Sequence, residues 1–262
     1  MSTIKLQFEE HGYYAPIRIL SEEEAAKSAQ KYAELQQRML QVFGEIHRFK
    51  LHLLVGWLAD IVRHKKMLDI VEDLLGPNIL CWSSDFFIKP AHDPGFVSLH
   101  QDTTYAGLTP YDGIVNVWLA FTPSKSANGC LQVVPGTHKL GQLPHTNTFA
   151  ENNLLFFGQT AELGNEANQI AEIQLKPGEA SLHHMAIVHG SQPNHSDIPR
   201  VGYVLRYIRP DVIQSKAPDS ATLVRGENIT NHFTLEPFPE KDWSDEAVAV
   251  FRDAINRPSA LG

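Results

Sequence analysis

The chain has 262 residues, 43% of them hydrophobic, with 22 Lys and Arg against 30 Asp and Glu for a formal charge of −8. That acidic surplus argues against a broad basic face for nucleic acid or an anionic membrane and points to a small-molecule partner; a monomer or homodimer is expected. The length suits one large domain, 1–262, with a full core.

Cys81 and Cys130 stand in no C-x-x-C or other ligand spacing, and Met-Ser-Thr-Ile-Lys at the N-terminus carries no secretory apolar stretch. The apolar runs fall short of the ~18 residues that a membrane span needs. The expected compartment is therefore the reducing cytoplasm.

In chain order, Ser21-Glu22-Glu23-Glu24 forms a capping box and predicts a helix running to about Phe49. Leu51 to Arg63 and Lys66 to Leu75 read as two more helices, the last closed by Gly76-Pro77. Residues 1–78 are thus expected to be a helical layer. His47, His52 and His64 lie in it without partners at ligand spacing, which favours packing or surface roles.

From Ile79 the pattern changes to short β-rich runs broken by Gly, Pro, Asn and Asp. Candidate strands are Ile79–Lys89, Val97–Gln101, Ile114–Thr122, Leu131–Pro135, Ile170–Leu175, Ala180–His184, Ala186–Ser191 and Val201–Arg209. About eight antiparallel strands over 79–210 suit a mainly β fold, the double-stranded β-helix or jelly roll of cupin type. Residues 140–169 interrupt it as a long polar and aromatic insertion of the kind that serves as a lid. A tail, 211–262, carries a short acidic helix from Ser244 to Ile255.

The chemistry concentrates in this β region. Side chains alternate along a strand, so His100 and Asp102 of His100-Gln101-Asp102 face one way and can grip one metal ion. His189, after the apolar run Met185 to Val188, is the best candidate for a third ligand. Two His and a carboxylate form the facial triad of non-heme Fe(II) oxygenases, which leaves positions open for cosubstrate and dioxygen. Arg200 starts the strand after a turn-like Gln192 to Pro199, and a hairpin would return it beside His189. Its guanidinium suits the bidentate grip that a dicarboxylate such as 2-oxoglutarate requires. His138 reads as a turn residue, and His183 and His184 as supporting or packing residues.

These pieces resemble the phytanoyl-CoA dioxygenase family of Fe(II)/2-oxoglutarate oxygenases. The likeness rests on HQD at 100–102, VNVWLAFTPSKSANGCLQVVPGTHK at 115–139 and HGSQPNHSDIPR at 189–200, and runs from about residue 8 to about 211. It implies His100, Asp102 and His189 as iron ligands and Arg200 as the anchor of the distal 2-oxoglutarate carboxylate. It also implies Gln101, Trp118 and Ser191 as lining of the cosubstrate pocket.

The implied reaction couples oxidation of a substrate C–H bond to conversion of 2-oxoglutarate and O₂ into succinate and CO₂. In halogenating relatives a small residue replaces the carboxylate ligand, so Asp102 implies hydroxylation, desaturation or ring chemistry. A cupin-type hydrolase or isomerase would use the same triad without needing Arg200, and a binding protein on this scaffold would hold iron without turnover. Substrates within the family range from acyl-CoA thioesters to small polar metabolites and natural-product intermediates. The low count of cations between Lys89 and Arg200 favours a small polar compound, with Asp85, Tyr105 and Asn116 as candidate contacts. Asp85 and Lys89 share one face of their strand, which equally fits a solvent-facing edge.

Overall fold

Helix α1 (Thr3–His11) leads into β1 (Tyr13–Arg18) and then α2 (Glu22–Phe43). The capping box forms as expected: Glu24 N–H donates to Ser21 Oγ at 3.1 Å, and Ser21 N–H to the Glu24 carboxylate at 2.7 Å. Helix α2 stops before the expected Phe49, because Gly44 takes a left-handed conformation and its N–H closes on Leu40.

The helix predicted over Leu51 to Arg63 is also broken. Left-handed Lys50 starts a 3-10 turn at Leu51–Leu53, and extended Val55 begins α3 (Gly56–Val62), whose first N–H is capped by Asp242 at 2.7 Å. Helix α4 (Lys65–Leu75) follows.

The strands come next: β2 (Ile79–Lys89), β3 (Val97–His100), then the short helix α5 (Thr103–Ala106), β4 (Leu108–Thr109), β5 (Ile114–Ala120) and β6 (Leu131–Val134). They continue as β7 (His145–Asn147), β8 (Gln159–Ala161), β9 (Ala171–Ile173), β10 (Glu179–His184), β11 (Val188–Ser191) and β12 (Arg200–Ile208). The chain finishes with β13 (Ile213–Gln214), β14 (Asp219–Arg225), β15 (Phe233–Leu235) and α6 (Asp245–Ile255). This computed structural model describes residues 2–155, 158–164 and 169–257.

One sheet has seven strands in the order β1-β10-β5-β12-β2-β14-β15, and another has four in the order β3-β11-β6-β9. From β2 to β12 the eight strands expected from sequence step from one sheet to the other at each connection except between β6 and β9. That is the winding of a jelly roll, built here from open sheets and not a closed barrel. β2 is an interior strand, and Asp85 and Lys89 are buried at 1% and 0% exposure, so the solvent-facing edge is ruled out for both.

The chain clusters into two compact units. The first comprises Met1–Ile46, Phe87–Thr104 and Trp118–Tyr203, and the second His47–Phe86, Tyr105–Val117 and Val204–Gly262. Within the first unit, the segment expected as a lid supplies the antiparallel hairpin β7/β8. Residues 156, 157 and 165–168 of that segment lie outside the described residues. The remainder is fastened to β3, since Ser98 Oγ donates to the Gln159 carbonyl at 2.6 Å and accepts from Asn153 Nδ2 at 3.0 Å. Ala161 packs with Val134 and Val188, against which Leu99, Leu143 and Leu163 also close. The hairpin is therefore joined to the core around β3 and β11 through Ala161.

Within the second unit, the Tyr207 hydroxyl donates to the Val62 carbonyl at 2.7 Å, and Phe251 of α6 is fully buried. A buried polar network ties the 3-10 turn to β2, β14 and β15. Lys50 Nζ meets Glu236 at 2.5 Å, whose carboxylate also accepts from Ser220 Oγ at 2.6 Å and Thr222 Oγ1 at 3.0 Å. His52 joins it through Ser84 Oγ at 2.7 Å and Thr222 Oγ1 at 3.2 Å, which bears out packing and not ligation for this residue.

Burial, and secondarily Lys50, lower the His52 pKa to about 3. The unfolded chain takes up a proton below about pH 6.5 while the folded ring refuses it, so stability falls as pH drops from about 6.5 towards 3, by roughly 1.4 kcal/mol per pH unit. Urea unfolding at a series of pH values should show this slope reduced by that amount in His52→Asn, which cannot titrate. An unchanged slope would exclude His52 as its source.

Candidate metal centre

β11 runs antiparallel to β3 with His189 opposite His100, so two imidazoles start from directly facing backbone positions. The strands approach this closely because Gly190 has no side chain: a Cβ there would meet the Val97 carbonyl oxygen at 2.6 Å. The two buried rings have centroids 4.3 Å apart. Each donates Nδ1–H to the carbonyl two residues before it, His100 to Ser98 at 2.8 Å and His189 to Ile187 at 3.0 Å. This fixes the proton on Nδ1 of each ring and leaves Nε2 in the unprotonated form that metal ligation needs.

Asp102 Oδ1 lies 3.3 Å from His100 Nε2 and 3.5 Å from His189 Nε2, and the donor atoms all fall within 4.8 Å of one another. On a divalent transition metal bonded at about 2.0–2.2 Å, neighbouring ligand atoms sit roughly 3 Å apart, so the set fits one ion after little movement. Strand alternation is not what aims Asp102, contrary to the sequence reading. β3 ends at His100, and Asp102 lies in the turn entering α5. Between the two ligands, the Gln101 N–H donates to His145 Nε2 at 3.0 Å.

Arg200 opens β12 and is buried at 2% exposure. The predicted hairpin with β11 does not form. β11 pairs with β3 and β6, whereas β12 lies between β5 and β2, because the Gln192 to Pro199 connection crosses between sheets. The guanidinium carbon sits 5.2 Å from the centroid of the Trp118 ring, and that ring lies against Gly202, where a Cβ would stand 2.1 Å from Cζ2. One N–H of Arg200 reaches the Gly129 carbonyl, while its Nε is buried with no acceptor. Burial pulls its pKa down to about 10, so it stays charged at neutral pH. A buried cation with an unused donor fits an incoming carboxylate, as 2-oxoglutarate would supply.

Ser191 is buried on β11, and its carbonyl accepts from buried Lys89 Nζ at 3.4 Å. Burial, then the nearby Arg200 charge, bring the Lys89 pKa to about 7. The Gln101 side chain, expected to line the cosubstrate pocket, is engaged by neighbouring chain. Its amide donates to the carbonyls of Gly141 at 2.8 Å and Ala186 at 2.6 Å, and its oxygen accepts from Leu143 N–H at 2.8 Å. Gln101 thus holds these chain segments in place.

His183 packs at a tilt against His189, ring centroids 5.1 Å apart, His184 Nδ1 accepts from Ala186 N–H, and His138 Nε2 lies 3.2 Å from the Glu9 carbonyl. Among the described residues the metal-competent group is His100, Asp102 and His189. Asp85, Tyr105 and Asn116 belong to the second unit. There Asp85 is paired with Arg48 at 3.6 Å, Asn116 is buried, and the Tyr105 carbonyl accepts from Lys216. Sequence reasoning passed over Lys89 as a buried cation and His145 altogether, because neither stands at a ligand spacing.

A jelly roll carrying two imidazoles and a carboxylate, with a buried guanidinium beside Trp118, defines the architecture of non-heme Fe(II) oxygenases that use 2-oxoglutarate and O₂. A family profile described as phytanoyl-CoA dioxygenase (PhyH) matches residues 8–202, and the chain belongs to that family. It is 28% identical over 161 residues to a probable phytanoyl-CoA dioxygenase of Caenorhabditis elegans, covering 59% of this chain and 52% of that protein. It is 29% identical over 163 residues to a probable alpha-ketoglutarate-dependent hypophosphite dioxygenase of Stutzerimonas stutzeri, covering 61% of this chain and 56% of that one. The chain thus spans about half the length of these curated relatives. Among solved structures it is similar to the apo form of the non-heme monooxygenase ThoJ, with 31% identity, a TM-score of 0.87, and coverage of 97% of this chain and 95% of that one. No helix among the described residues is long and apolar enough to cross a membrane.

Proposed function

We propose that this chain is an Fe(II)/2-oxoglutarate-dependent dioxygenase that hydroxylates, or otherwise oxidises, a small polar metabolite. The observation that carries this reading is the pairing, within one unit, of a three-ligand set with Arg200, whose Nε is buried without an acceptor. Held by His100, Asp102 and His189, Fe(II) would supply the activation of dioxygen. The chain's own residues do the rest. His100 and His189 present Nε2 because Ser98 and Ile187 hold the opposite ring protons. Asp102 contributes the charge, and Arg200, set by Trp118 and Gly129, receives the distal carboxylate of the cosubstrate.

For a hydroxylation the balance is R–H plus 2-oxoglutarate plus O₂ giving R–OH, succinate and CO₂. Protein loaded with Fe(II) without oxygen and then given O₂ and 2-oxoglutarate should release succinate, with substrate stimulating the rate. Iron binding without succinate would make this a binding protein, and turnover independent of 2-oxoglutarate would make it a hydrolase or isomerase.

The substrate reading rests on charge. The chain is acidic, and between Lys89 and Arg200 its further cations are Lys125, Lys139 and Lys176, few for the polyphosphate of a CoA thioester. Asp85, Tyr105 and Asn116 are proposed as substrate contacts, in a chain that acts as a monomer or homodimer in the cytoplasm, without nucleic acid or membrane. Amino-acid-like, quaternary-amine or phosphonate compounds should stimulate succinate release, and Asp85→Asn or Asn116→Ala should uncouple it with little effect on 2-oxoglutarate binding. Oxidation of a long-chain acyl-CoA, with none of the small compounds accepted, would reverse this assignment.

A further inference from the structure

His145 lies on β7, remote in sequence from the metal ligands and of no use as one. Its ring nevertheless touches the segment that carries them. A backbone N–H can only donate, so the 3.0 Å contact from Gln101 N–H requires an unprotonated Nε2 on His145. The ring proton therefore sits on Nδ1, where the Leu143 carbonyl accepts it at 2.9 Å. This is the device used by His100 and His189, a ring proton given to the carbonyl two residues upstream. In those two the freed Nε2 faces the metal position, whereas in His145 it faces the peptide between the two ligands of the H-x-D pair.

That peptide needs such a partner. β3 has ended at His100, so Gln101 N–H has left the ladder, and its direction sets how the chain turns to bring Asp102 Oδ1 to within 3.3 Å of His100 Nε2. Neighbouring bonds stiffen the same turn. Thr104 Oγ1 lies 3.2 Å from His145 Nε2, Thr103 Oγ1 donates to Gln142 at 2.5 Å, and Gln142 Nε2 donates to Thr104 Oγ1 at 3.0 Å. The Gln101 side chain, bonded to Gly141, Leu143 and Ala186, locks the other side.

We propose that His145 is a positioning residue for the metal centre: as a neutral acceptor for Gln101 N–H, it holds the H-x-D turn in the geometry that lets His100 and Asp102 bind one ion. This rests on the reading of His100, Asp102 and His189 as a single metal site. Hairpin β7/β8 is, on this account, part of the metal centre's support.

The test is anaerobic Co(II) titration of the full chain, following the visible spectrum of the bound ion, with apo-protein melting measured alongside. His145→Ala should weaken Co(II) binding by about 10–100-fold, the usual effect of removing an outer partner of a ligand set, and alter the spectrum. His145→Gln, which can offer an amide oxygen to the same N–H, should lie closer to wild type in both. Thr146→Ala, which removes only the exposed bond from Thr146 Oγ1 to Glu162 at 2.8 Å on the same hairpin, should bind Co(II) as wild type does.

The proposal is overturned if His145→Ala keeps wild-type affinity and spectrum. It is also overturned if Thr146→Ala matches its loss, since a general loosening of the hairpin would then be the cause. A wild-type chain that takes up no Co(II) overturns the metal-site reading itself and this proposal with it.

Discussion

The double substitution His100→Ala with His189→Ala should remove Fe(II) or Mn(II) binding while leaving the chain folded. The two rings face each other across the β3/β11 ladder and supply two of the three donor atoms, so Asp102 alone would remain. Losing one outer partner of a metal ligand usually lowers affinity by roughly 10–100-fold, and a directly bonded ligand counts for at least as much. For the pair the expected loss is on the order of 10³-fold or more, about 4 kcal/mol.

Folding should survive because the ladder bonds belong to the backbone. The bonds to Ser98 and Ile187 that vanish are local to each ring, and the contacts of both rings with Asp102 are confined to the metal site. Equilibrium binding of Mn(II) followed by its paramagnetic signal, with the melting curve of the apo protein as a control for folding, decides the matter. Retained affinity would move the metal site elsewhere.

What the sequence made legible and what it hid divide along physical lines. Eight of the eleven strands of the two main sheets could be read because each is bounded by turn residues and rich in apolar and β-branched side chains, as in Ile114–Ala120, buried at every position. β1, β14 and β15 were missed. Tyr13–Arg18 contains a proline and pairs only at one edge of its sheet, with a register shift between Tyr14 and Ile17. Asp219–Arg225 has no clean period-2 alternation and Phe233–Leu235 is only three residues long, and the two pair in parallel, a contact that no local pattern announces.

The ligands were legible as residue types, but two of the reasons for their geometry were not. Asp102 is aimed by a turn whose peptide is held from β7, and Arg200 arrives by a crossing between sheets. Both depend on long-range pairing that local periodicity cannot carry. Gln101 shows the same limit: its side chain bonds chain segments 40 and 85 residues away.

Arg200→Ala should raise the KM for 2-oxoglutarate steeply while leaving metal affinity close to wild type. The guanidinium is buried, one N–H is tied to Gly129, its carbon sits 5.2 Å from the Trp118 ring centroid, and Nε has no acceptor among the described residues. These contacts orient the group without satisfying it, which is how a preformed carboxylate receptor differs from a structural ion pair. A hydrogen bond to a charged group contributes about 1.5–3 kcal/mol, so losing the anchor should cost roughly ten- to a hundredfold in KM, and more if both parallel bonds form in a dry site. Arg200→Lys keeps the charge but cannot reproduce the planar fork or its stacking on Trp118, and should fall between wild type and Ala. Metal affinity should hold in both variants, because the bonds and ring contact of Arg200 go to Gly129 and Trp118 and not to the ligands. Steady-state succinate formation against 2-oxoglutarate concentration, paired with Mn(II) binding, separates the two effects. An unchanged KM in Arg200→Ala would pass the anchoring role to another buried cation, Arg206 or Lys89, and parallel loss of metal binding would mean that Arg200 supports the fold around the ligands instead.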